Sequence, residues 1–76
     1  MTKEISTFII QHVIENSSGF QYFVDFETIE QKFNIQLSNQ MQLQILDDLS
    51  VRVEVADVEL NHDCFDVVLY TSYCEQ

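Results

Sequence analysis

Ile5, Phe8, Ile9 and Val13 fall on one stripe at helical spacing, and Ile10 and Ile14 widen it. The pattern predicts a helix over residues 2–17. Thr2 is placed to cap it, and Glu4 lies in the first turn, where the helix dipole favours an anion. The apolar arc exceeds the roughly 100° of an ordinary surface helix. Such a helix is buried on two sides, by the rest of a small fold or by a second copy of the chain. "ENSS" and then Gly19, the sole glycine, suit the helix C-terminus.

The period then changes. "FQYFV", residues 20–24, is rich in aromatics and reads as a short strand. Asp25 is placed to cap a second helix, "FETIEQKF", whose inner face carries Phe26, Ile29 and Phe33. "NIQLS", residues 34–38, is a turn with apolar plugs at Ile35 and Leu37, and Ser38 is a good N-cap for a helix starting at Asn39.

Residues 39–49 read two ways. Met41, Leu43 and Ile45 alternate with Gln40, Gln42 and Gln44, as in a strand. Ile45, Leu46 and Leu49 keep helical spacing, and Gln, Met and Leu are good helix formers, so a helix is expected.

From Val51 the alternation is clean: Val51, Val53 and Val55 against Arg52 and Glu54. Then the parity slips, because Val58 and Leu60 are apolar where Asp57 and Glu59 should be. A bulge near Ala56 and Asp57 would absorb the slip. "NHD", residues 61–63, is a turn. Phe65, Val67, Leu69, Thr71 and Tyr73 form one face of a last strand. Cys64, Asp66, Val68, Tyr70 and Ser72 form the other.

The predicted class is α+β in one domain, residues 1–76: three helices, a short strand and a C-terminal two-stranded β-ribbon. The residues Thr28 to Leu49, "TIEQKFNIQLSNQMQLQILDDL", with the ribbon after them, resemble a winged helix-turn-helix fold. The resemblance lies in the pattern of elements, and the fold hosts unrelated functions. It implies that residues 39–49 are a recognition helix, with Asn39, Gln40, Gln42 and Gln44 facing a major groove and Arg52 nearby. Asn and Gln can pair bidentately with adenine.

Charge opposes that reading. Three Lys and Arg face thirteen Asp and Glu, for a net charge of −10. From Asp47 onward, eight carboxylates are set against Arg52 alone. Affinity for duplex DNA rests largely on neutralising phosphates. Carboxylates within the ~8 Å Debye length would repel them. Direct nucleic-acid binding would need a dimer that gathers the few cations, or a basic partner subunit.

The same charges support the inverse reading. Asp47, Asp48, Glu54, Asp57, Glu59, Asp63 and Asp66 would offer spaced negative charges to a protein with a basic surface. In size and charge the chain resembles small acidic inhibitors of nucleic-acid-binding proteins encoded by phages and mobile elements, including anti-restriction and anti-CRISPR proteins. A protein-interaction or oligomerisation module without mimicry, and an acidic surface that serves only solubility, are the plainer alternatives.

A chain this short buries only about 60% of its unfolded surface, and a homodimer would relieve that shortage. Neither histidine sits in a nucleophile motif, and a single glycine leaves no phosphate-binding loop, so no enzyme and no cofactor are expected. His12, His62, Cys64 and Cys74 lack metal-ligand spacing. Cys64 and Cys74 would lie about 33 Å apart on a straight strand, too far for a bridge. Free thiols, no secretory leader and no apolar run of membrane-spanning length point to the cytoplasm. Phe20, Tyr22, Phe23, Tyr70 and Tyr73 are core by default, with the tyrosines as candidate interface anchors.

Overall fold

The computed structural model of the chain describes residues 1–17 and 20–70. In chain order the elements are α1 (Thr2–Asn16), β1 (Gln21–Asp25), α2 (Phe26–Phe33), α3 (Asn39–Ser50), β2 (Val55–Leu60) and β3 (Cys64–Leu69). Gly19, Thr71, Ser72, Tyr73 and Cys74, with the readings that fall on them, lie outside the described residues.

The α+β class holds, with one addition. The ribbon of β2 and β3 is joined by β1, giving a three-stranded antiparallel sheet in the order β1-β3-β2. The sequence shows that each segment is extended, but it does not show which strand pairs with which.

The expected bulge is present. Val55 pairs with Leu69 and Asp57 with Val68, so Ala56 is the surplus residue. The bulge restores the parity that the core needs: Val55, Phe65, Val67 and Leu69 are buried, with Val58 and Leu60 packed against them. The reading of Val51 to Glu54 as strand is corrected. Val51 caps α3 in helical conformation, and its N–H donates to Asp48 O. Arg52 N–H then donates to Leu49 O and Val55 N–H to Arg52 O, so residues 51–54 are a turn. Val51 and Val53 are 73% and 71% exposed, which an alternating strand would not allow for its apolar side.

The helices cover the sheet's inner face. Ile5, Ile9 and Val13 of α1 are fully buried and Ile10 nearly so, in one cluster with Val24, Ile29, Ile45, Leu49 and Phe65. α1 packs against α3, α2, β1 and β3. Both sides of its wide apolar arc are therefore occupied within one chain, and the arc no longer argues for a second copy. Burial of each such side chain contributes about 1.5–3 kcal/mol.

Thr2 does not cap α1. Met1 holds the cap position, Ile5 N–H donates to Met1 O at 3.1 Å, and Glu4 pairs with the terminal ammonium at 3.1 Å. Asp25 holds the cap position of α2, but its side chain makes no capping bond there.

The turn between α2 and α3 is fixed by side chains. Asn34 ends α2 in the left-handed region at φ 56°, which asparagine tolerates better than most residues. Glu30 Oε2 accepts from Leu37 N–H at 2.9 Å. Ser38 Oγ accepts from Met41 N–H at 3.2 Å, and the Gln42 amide donates to Leu37 O at 3.0 Å. With Ser38 as cap, residues 39–50 are helix, not strand.

Candidate functional site: the open face of the sheet

Side chains alternate across a strand, and paired residues share a face. Val24, Phe65 and Leu60 face the helices. The opposite face then carries Gln21, Phe23 and Asp25 from β1, Cys64, Asp66 and Val68 from β3, and Asp57 and Glu59 from β2. Four carboxylates, Asp25, Asp57, Glu59 and Asp66, stand on this face. None of the three strands contains Lys or Arg. Among the described residues none of these four carboxylates is ion-paired.

The centre of the face is one row across all three strands. Phe23 lies opposite Asp66, and Asp66 lies opposite Glu59. Gln21 Nε2 donates to Asp66 Oδ1 at 2.9 Å and orients that carboxylate. Asp57 and Glu59 are exposed, and Asp66 is half-buried between its neighbours.

At one end of the sheet the charge continues around the hairpin tip. Asp25, Phe26, Glu27, His62 and Asp63 line a recess there. Phe26 N–H donates to Asp63 O at 2.9 Å and ties the tip to α2. His62 Nε2 stands 3.8 Å from Asp63 Oδ2. Burial pushes the Cys64 thiol up from its ordinary pKa, and the charges of Asp63 and Asp25 add to the rise.

The predicted acidic set is therefore divided. Asp57, Glu59 and Asp66 share the open face, with Asp63 at its tip. Asp47 and Asp48 belong to α3, and Glu54 to the turn between α3 and β2. Asp48 is engaged internally: Arg52 Nε and Nη2 both donate to its Oδ2, at 3.1 and 3.0 Å. Burial disfavours the Asp48 charge. The buried Ser6 hydroxyl, although short of a well-formed hydrogen bond, and the Arg52 guanidinium outweigh that penalty and hold its carboxyl below the usual range.

The residue pattern predicts Asp25 as a helix cap and Phe23 as core. Register places both on the open face, where Phe23 is 56% exposed. Their neighbours in the chain gave no sign of this, because β1 meets β3 across about forty residues. Phe20 and Tyr70 are exposed as well, and Tyr22 is half-buried beside His12.

The alternative set also divides. Asn39, Gln40 and Gln44 are exposed on α3, whereas Gln42 is half-buried with its amide donating to Leu37. Arg52 donates to Thr7 Oγ1 at 3.3 Å and to Lys3 O at 3.0 Å besides Asp48. Lys32 Nζ lies 5.9 Å from the centre of the Phe8 ring. Among the described residues no three His, Cys, Asp or Glu side chains are grouped to hold a metal ion, and no helix is long and apolar enough to cross a membrane.

No protein-family model matches the chain, and no curated protein or solved structure matches it either.

Proposed function

We propose that the chain is a non-enzymatic binding module that engages a protein with a basic surface. The contact is the open face of the sheet, with Asp57, Glu59 and Asp66 joined by Asp25 and, at the tip, by Asp63. The carboxylates stand in for nucleic-acid phosphates, and the partner is a nucleic-acid-binding protein that the module inhibits, in the manner of small acidic phage or mobile-element proteins. One observation carries the reading: four carboxylates share a face built from strands that contain no Lys or Arg. A field of one sign steers a cationic partner and repels nucleic acid. The free, buried thiol of Cys64 fits action in a reducing cytoplasm.

The element order and the sheet order support a winged-helix type of fold, with β2 and β3 as the wing. The exposed Asn39, Gln40 and Gln44 favour a second reading, DNA recognition by α3. Electrostatics weighs against it. α3 bears no Lys or Arg, Arg52 is committed to Asp48, Thr7 and Lys3, and the wing would bring carboxylates to the phosphates.

The test is a pull-down from lysate with the wild type and with Asp57→Lys/Glu59→Lys. Basic proteins should be recovered by the wild type alone, and added duplex DNA or raised salt should release them. Recovery that ignores charge reversal and competitor DNA would remove the reading. Retention of random duplex DNA by the protein at physiological salt would favour recognition by α3.

A further inference from the structure

Phe23 is the unusual residue of the open face. Phenylalanine is among the residues most often buried, yet Phe23 is 56% exposed on a strand whose next residue, Val24, is fully buried. The register sets it directly beside Asp66, with Glu59 beyond. Opposed residues in a sheet stand about 4.5–5.5 Å apart at Cβ. One row thus reads aromatic, carboxylate, carboxylate. Gln21 fixes the middle carboxylate, and no cation of the strands occupies the row.

An aromatic face is negative and its edge positive. A group that fits beside both a ring and two carboxylates must be cationic, flat and rich in N–H donors at its rim. A guanidinium meets all three conditions. It stacks on rings and donates to carboxylates in a fork. An ammonium is a compact, strongly hydrated point charge; it can sit over a ring, but it cannot stack flat on it or present a planar fork to the carboxylates.

Resting on the basic-partner reading, we propose that this row docks an arginine side chain of the partner. The Phe23 ring stacks on the guanidinium, and Asp66 and Glu59 accept its N–H groups. Charge complementarity commits the face to an arginine-bearing protein segment. A second copy of this chain would bring the same carboxylates against one another, and a lysine-rich segment would use the ring without stacking flat on it.

The experiment measures binding of a short oligo-arginine peptide and of an oligo-lysine peptide of equal length, by calorimetry at low salt. A stacked cation at an exposed site is worth about 0.5–1 kcal/mol, so the arginine peptide should bind the wild type about two- to fivefold more tightly. Phe23→Leu should reduce that preference, weakening the arginine peptide more than the lysine peptide, and Phe23→Tyr should keep it. Equal affinities in the wild type, or a preference undiminished by Phe23→Leu, would overturn the arginine assignment while the basic-partner reading stands. Failure of both peptides to bind would overturn the basic-partner reading and this inference with it.

Discussion

Glu59 stands directly opposite Asp66 in the ladder between β2 and β3. Like charges so placed destabilise a sheet, and opposite charges stabilise it by about 0.2–1 kcal/mol. Glu59→Lys is therefore expected to raise stability by up to about 1 kcal/mol. A domain of this size gains about 4–8 °C in Tm per kcal/mol. Thermal denaturation at low and high salt checks it, because added salt should shrink the gain. Asp57→Lys, which faces Val68 in the same ladder, changes net charge equally and should give less. If the two variants rise together, the effect belongs to net charge and not to the row. On the proposed function, the same Glu59→Lys should also weaken binding of a basic partner.

Arg52 joins the end of α3 to the start of α1. Its guanidinium reaches Asp48, Thr7 and the Lys3 carbonyl, and the side chains of Arg52 and Asp48 are mostly buried, at 24% and 21% exposure. Hydrogen bonds to charged groups contribute about 1.5–3 kcal/mol. Arg52→Ala should lower stability by about that amount, read from the midpoint of urea unfolding. Arg52→Lys should recover only part, since an ammonium cannot span the same fork of acceptors. A loss below about 0.5 kcal/mol would place this contact among ordinary surface pairs.

The same pair predicts an acid limb. The Asp48 carboxyl is held below its ordinary value of 3.8 in the folded chain. A depressed folded pKa adds stability that is present above the unfolded pKa and lost as pH falls through the folded one. The wild type should therefore exceed Asp48→Asn in stability at neutral pH, and the gap should close as pH falls below about 4. A gap that stayed constant to lower pH would show that Asp48 contributes by shape and not by charge.

Cys64 is a buried thiol whose ionisation is suppressed first by burial, then by the charges of Asp63 and Asp25. The thiolate is the reactive form. In a Cys74→Ser background, Cys64 should react with a thiol-specific disulfide reagent far more slowly than free cysteine does. Denaturant should restore the rate. Rapid labelling of the folded chain would contradict its burial.

Local chemistry was legible along the chain where a side chain acts on its own neighbourhood. Ser38 signals the start of α3 because its hydroxyl serves an N–H three residues on. The slip of parity after Val55 signals the bulge because a core strand cannot turn two carboxylates inward. What escaped depends on distant partners. The alternation of Val51, Val53 and Val55 imitates a strand, but Arg52, anchored to Thr7 and Lys3, belongs to a turn beneath α1. Phe23 and Asp25 gain their meaning from β3, a pairing that no periodicity in "QYFVD" encodes. The acidic set was visible as a bias in composition; its division between the open sheet face and α3 was not.

The surplus residue at Ala56 works as an expansion joint. One residue can be lost there and the strand becomes a regular ladder with both faces intact, Val55 still meeting Leu69 and Asp57 still meeting Val68. A one-residue loss between Val58 and Leu60 has no such slack and would drive carboxylates toward the helices. Single-codon length variation is thus tolerated at one point of the strand and ruinous a few positions on. The polarity of the exposed surface is inherited as a count of residues as much as a choice of them.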